Sequence, residues 1–287
     1  MIRWPEKLIT DLARRKATLV LGSGISRNST NANGRYPKTW SEFLYEQRIK
    51  VFGREYTQIL KRYDYLTACE MLKKEIGPDN FRNLLIDEYL TPGYAPNEYH
   101  HTIFKLDSRI VLTPNFDKIY ESYANSQASG SIRVKNHYDD DVADAIRRED
   151  RLILKFHGTI DSPDKMIFTR REYAEARTKF ANFYKIVEAL ALTHTFIFIG
   201  CGVHDPDTRL LMEDIFFRYE NIQPHVFILP KGALKPREKS VVENSMNLSV
   251  LEYKCPNNDH SELLLSIKDL VSKVEIKRED LASTRNW

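Results

Sequence analysis

Cysteine is scarce in this 287-residue chain: Cys69, Cys201 and Cys255 lie far apart and form no C-x-x-C pair. That spacing offers neither a zinc ribbon nor a disulfide framework, and a reducing compartment is the expected setting. Long apolar runs are missing too. The opening Met-Ile-Arg-Trp-Pro-Glu-Lys is followed by no apolar stretch of the kind that leads secretion, and no later run reaches the ~18 residues of a spanning helix. The reading is a cytoplasmic protein that meets no membrane. Charge of one sign is also lacking, with 43 Lys and Arg against 40 Asp and Glu, a formal net charge of +3. So small and dispersed an excess gives no footprint for direct nucleic-acid binding.

What remains is an ordinary globular composition, 42% hydrophobic and 29% charged, in a chain long enough for one large domain carrying an insertion. Ala17-Thr-Leu-Val-Leu21 is an apolar, partly β-branched run that breaks into Gly22-Ser-Gly-Ile-Ser26, a strand entering a tight loop whose glycines would let backbone N–H groups approach a phosphate. Strand patterns return at Arg109–Thr113, Arg151–Phe156, His194–Ile199, Pro224–Leu229 and Leu248–Tyr253. Helical patterns lie between them, at Arg170–Leu192, Asp205–Tyr219, Ala233–Met246 and Asp259–Val274, and before the first strand over residues 4–15. Short apolar runs alternating with helices predict an α/β fold, a doubly wound, Rossmann-like parallel sheet with both faces covered and its ligand beyond the carboxyl ends of the strands.

The expected organisation is a nucleotide-binding domain of residues 1–38 and 107–276, an inserted helical module over 39–106, and a charged, disordered tail over 277–287. Asp79 is the expected cap of the module's third helix, after Gly77-Pro78. The polar stretch 27–38 reads as a long mobile loop beside the site. The module's many aromatics suit either an interface with another subunit or partner, or a roof over the cleft.

The residues just past each strand carry the chemistry. They are Gly22-Ser-Gly-Ile-Ser26, then Thr113-Pro-Asn-Phe-Asp117, then His157-Gly158, then Gly200-Cys-Gly202. Each has a plain structural reading. Asn115 and Asp117 suit an Asx turn capping a helix, His157 a half-buried histidine bonded to a carbonyl, and the glycines a strand-to-helix turn. Their coincidence at one end of one sheet favours a site instead.

This ordered set resembles the sirtuin family, whose pattern is a glycine-alanine-glycine-isoleucine-serine loop, a threonine-glutamine-asparagine-x-aspartate turn, a histidine-glycine pair and a later glycine-rich turn. The resemblance implies NAD phosphates on Gly22, Ser23, Gly24 and Ser26 and on Gly200, Cys201 and Gly202. It implies Asn115 beside the nicotinamide ribose, Asp117 on the carboxamide, and His157 as general base at the ribose. Gly34, Pro37 and Trp40 match the family's cofactor-binding loop loosely. There are departures: Pro114 stands where the family has glutamine, Tyr36–Trp40 lacks an aspartate-phenylalanine-arginine, and residues 158–195 hold none of the cysteines of the zinc module in protein-deacylating sirtuins. A zinc-free domain of this kind is similar to the bacterial sirtuin-like NAD hydrolases of anti-phage defence. The resemblance therefore implies NAD as substrate, no zinc, cleavage to nicotinamide and ADP-ribose with Asn115, Asp117 and His157 as catalytic residues, self-association, and a HerA-type ATPase or other defence-system partner. The alternatives are a non-catalytic NAD or ADP-ribose binding module, and a protein deacylase or ADP-ribosyltransferase.

Overall fold

A computed structural model describes residues 1–53, 64–203, 212, 219 and 222–286. Its seven strands form one parallel sheet: β1 (Ala17–Leu21), β2 (Ile110–Thr113), β3 (Arg133–Asn136), β4 (Leu152–Lys155), β5 (Thr195–Ile199), β6 (His225–Pro230) and β7 (Leu248–Tyr253), in the order β3-β4-β2-β1-β5-β6-β7. The expected Rossmann-like α/β class is what is found. β1 sits at the centre, and the chain winds outward from it first through β2 and later through β5, which makes the β1/β5 junction a topological switch point.

Side-chain alternation explains why both faces are covered. Leu19, Leu21, Ile197 and Ile199 bury against the first helix (Glu6–Ala13), the helix Glu98–Phe104 and the long last helix (Ser261–Thr284). Val20, Leu112, Leu154, Phe196 and Phe198 face the other way, onto Phe183, Val187 and Leu190. β3 escaped the sequence reading. Its Arg-Val-Lys-Asn is a partly exposed edge strand, where charged residues are favoured and the apolar signal disappears.

Local chemistry sets the helix boundaries. Thr39 and Glu42 form a reciprocal capping box that starts Trp40–Phe52. Gly77, at φ +82°, ends Tyr65–Ile76 and also caps Pro78–Tyr89, so Asp79 lies inside the first turn instead of capping it. Pro78 at the first helical position leaves the preceding residue as the cap. The segment Arg170–Leu192 is two helices, Arg170–Lys179 and Ala181–Thr193, broken where Phe180 leaves helical dihedrals and packs on His137. The expected disordered tail is instead helical as far as Thr284, because Leu281 is buried in the core under the first helix. Most of the expected helix Asp205–Tyr219, and the apolar residues Ile59, Leu60 and Tyr63, lie outside the described residues.

The helices from Trp40 to Tyr89 have a small core of their own, of Phe43, Leu44, Cys69, Leu72, Phe81 and Leu85. It closes onto Ile160, Met166 and Phe168 from the loop after β4, so this layer lies over the carboxyl end of the sheet.

Candidate functional site

Four adjacent strands, β4-β2-β1-β5, deliver the four polar segments to one place. After β1 the chain makes a single helical turn, Ser23–Ser26, tied to the end of β5 by Gly22 N–H donating to Ile199 O at 3.0 Å and Gly24 N–H donating to Gly200 O at 3.0 Å. The two loops nearly touch. A Cβ at Gly22 would stand 2.3 Å from Gly200 O and 2.6 Å from Cys201 Cα, and one at Gly24 would stand 2.9 Å from Gly200 O. Gly22 itself has ordinary extended dihedrals, φ −89° and ψ 176°, so close backbone approach alone explains its glycine. Gly200 has φ +68° and needs glycine for conformation as well. Gly202 differs, since nothing lies within 4 Å of its missing Cβ and it faces the pocket.

The turn after β2 is organised by hydroxyls. Thr113 Oγ1 donates to Leu21 O at 2.7 Å and accepts from Asn115 N–H at 3.0 Å, joining β1 to β2 just where both end. Ser26 Oγ donates to Asp117 Oδ2 at 2.9 Å and lies 3.4 Å from Asn115 Nδ2. Asp117 Oδ1 accepts from Ile119 N–H at 3.0 Å at the start of the helix Ile119–Gln127. The plain Asx-turn role is thus real, and it holds the same carboxylate at the pocket wall.

His157 follows β4 and is 5% exposed. Its carbonyl accepts from Ile167 N–H at 3.1 Å, and its Nε2 shares a hydrogen with Tyr173 OH at 2.9 Å. The imidazole is therefore oriented by a tyrosine from the helix Arg170–Lys179, a partner that sequence reading missed.

These segments enclose a cavity of about 110 Å³ whose polar wall includes Gly22, Ser23, Ser26, Asn115, Asp117, His157, Cys201 and Gly202. Gly24 and Gly200 stand behind that wall, at the strand-end contact. The opposite wall is aromatic, with Trp40 and Tyr89 from the helical layer meeting Phe116 and Phe168. Trp40 Nε1–H donates to Cys69 Sγ at 3.2 Å, and its ring meets Phe168 edge-on at 5.9 Å. Burial pushes the Cys69 thiol far up, so this cysteine is a neutral packing residue. Of the three loosely matching loop residues, Pro37 and Trp40 reach the cavity, while Gly34 stands in open space at φ +70°.

The polar stretch expected to be mobile is tied down at its end. Buried Glu88 accepts from Lys38 Nζ, from Lys38 N–H at 3.3 Å and from Arg35 at 3.5 Å. Burial pulls the Lys38 ammonium down, but hydrogen bonds to Glu46 and Glu88 outweigh it and hold the group above the usual lysine range.

Two buried groups behind the turn also went unread. Lys155, the last residue of β4, is fully buried and donates to Asp117 O at 2.7 Å and to Glu121 Oε2 at 2.6 Å. A cation ending an apolar strand two positions before His157 was a legible signal. His100 is fully buried, with Nδ1 accepting from Asn97 N–H at 3.1 Å. Its Nε2 has no hydrogen-bond partner among the described residues, and it lines a second cavity, of about 10 Å³, shared with Ser26, Asn115, Asp117 and Glu121. Burial pushes its pKa down to about 4, so the ring is neutral at ordinary pH. The neighbouring His101 points outward to Glu98.

Among the described residues no group of three or more His, Cys, Asp or Glu side chains is placed to hold a metal ion, and no helix is long and apolar enough to cross a membrane. Among the described residues, Cys69, Cys201 and Cys255 form no disulfide.

Comparison with known proteins agrees with this architecture. Residues 109–251 match the SIR2-like domain family. An NAD(+) hydrolase ThsA of Acinetobacter baumannii (strain 532279) is 23% identical over 79% of this chain and 45% of its own length. A protein of the same name from Enterococcus faecium is 25% identical over 75% of this chain and 43% of its own. Defense-associated sirtuin 2 of Bacillus subtilis is 22% identical over 72% of this chain and 20% of its own. The chain thus spans less than half the length of these relatives.

Proposed function

We propose that this chain, whose residues 109–251 match the SIR2-like domain family, is an NAD glycohydrolase, releasing nicotinamide and ADP-ribose as an NAD-depleting effector of anti-phage defence. The observation that carries the reading is the convergence of Ser26, Asn115, Asp117 and His157, from three strand ends, on one cavity with an aromatic opposite wall.

Nicotinamide leaves NAD from a cationic glycosidic bond, through an oxocarbenium-like state that needs orientation and a shielded site more than a covalent partner. In our reading Asp117 accepts from the carboxamide, held in place by Ser26 Oγ. Asn115, whose backbone is fixed by Thr113, orients the ribose and the attacking water. His157, oriented by Tyr173, takes the proton, a contribution typically of ~10²- to 10⁴-fold. The pyrophosphate lies along Ser23, Cys201 and the open Gly202, beside the switch point where such folds bind their ligands. Water is the nucleophile in place of an acyl oxygen. A homo-oligomer, and a HerA-type ATPase or another defence-system partner, belong to the same proposal.

The test is chromatography of NAD incubated with the pure protein, alone and with the product of a neighbouring gene. Nicotinamide and ADP-ribose in equal amounts support the reading. Bound but uncleaved NAD in both incubations replaces it with a binding module.

A further inference from the structure

Lys155 is the one lysine with no exposed surface among the described residues, and its ammonium is surrounded by oxygen. Nζ reaches Asp117 O at 2.7 Å, Phe116 O at 3.4 Å and Glu121 Oε2 at 2.6 Å. Three acceptors match the three hydrogens of an ammonium group, and two of them are the main-chain carbonyls of the turn that carries Asn115 and Asp117. The same residue ends β4, two positions before His157. One side chain thereby fastens the turn after β2 to the strand that delivers the imidazole.

We propose that Lys155 is a positioning residue for this site, setting the Asn115–Asp117 turn against His157, with Glu121 as its counter-ion. The proposal rests on the NAD-cleaving reading for its consequence in turnover, but not for the geometry. A pair that merely filled space would be served as well by two apolar side chains, because a buried ion pair exchanged for well-packed apolar residues is often neutral or stabilising. Apolar residues cannot donate to the carbonyls of Phe116 and Asp117. The turn would then keep its surroundings and lose its fastening, and a displacement near 1 Å at a reacting group can cost about 10²-fold in rate.

The test uses the full chain with Lys155→Met and Glu121→Met together, because Lys155→Met alone strands a buried carboxylate and endangers the fold. We expect an unfolding temperature close to wild type, ADP-ribose affinity within about threefold because the phosphate grip lies on other loops, and kcat for NAD lowered about 10²-fold. Amide exchange at Ile119, whose N–H donates to Asp117 Oδ1, should accelerate. Wild-type kcat in a folded double variant overturns the proposal. If wild-type protein itself releases no nicotinamide, the reading of the reaction fails, and Ile119 exchange alone decides: acceleration supports the fastening and unchanged exchange refutes it.

Discussion

Replacing Gly22 with alanine separates a structural demand from a ligand demand. The added Cβ would lie 2.3 Å from Gly200 O and 2.6 Å from Cys201 Cα, both backbone atoms that cannot rotate away. Relief requires β1 and β5 to part at the junction where Gly22 N–H bonds Ile199 O, in the middle of the sheet. Forced overpacking costs about 1–3 kcal/mol and occasionally more, and backbone on both sides puts this site at the upper end. For a chain of this size, about 3 kcal/mol lowers the unfolding temperature by roughly 6–12 °C. Gly24→Ala should cost less, since its nearest contact is 2.9 Å. Gly202→Ala should leave stability unchanged, with nothing within 4 Å, and should weaken ADP-ribose binding instead. Thermal unfolding and ADP-ribose titration of the three variants check the order. A Gly22→Ala protein as stable as wild type but unable to bind nucleotide would refute the packing argument, leaving ligand approach as the reason for that glycine.

Asn115→Ala and His157→Ala should each abolish NAD turnover while ADP-ribose binding persists, and the double variant should lose little more than either single one, as groups acting as a unit do; steady-state kinetics and titration read both. His100 and His225, each pushed down to about 4 by burial, should make stability depend on pH. The folded pKa lies below the ordinary value of 6.5, so the unfolded chain takes up protons first. Each contribution is complete above pH 6.5 and is lost as pH falls to about 4, on the order of 3 kcal/mol apiece. Denaturant unfolding across that window should show the fall, with a shallower one in His100→Gln, and a flat profile would contradict the burial of neutral imidazoles. Elemental analysis should find no stoichiometric zinc, because Cys69 is buried against Trp40, Cys201 donates to Val20 O, and Cys255 packs beside His260.

Six of the seven strands were legible because a parallel sheet buries both faces and turns strands such as Thr-Phe-Ile-Phe-Ile into unbroken apolar runs. The segments after β1, β2, β4 and β5 were legible for the complementary reason, that Gly, Asn, Asp and His interrupt such runs abruptly. Less visible was anything set by contact between distant loops. Periodicity holds no trace of Gly22 being needed for Gly200, of Tyr173 reaching His157, or of Glu88 anchoring Lys38. The helical layer could be counted from its aromatics, but its place over the cavity follows from Phe168 and Met166 joining its core from the loop after β4. Helicity past residue 276 was hidden because Leu281 is the one buried residue in a stretch that is otherwise mostly polar.

The most direct test of the central claim is the product profile of NAD incubated with the protein and with its Asn115→Ala variant. The account predicts nicotinamide and ADP-ribose in equal amounts from the wild-type chain and intact NAD from the variant. Cleavage by both proteins alike, or intact NAD bound by both, would contradict it.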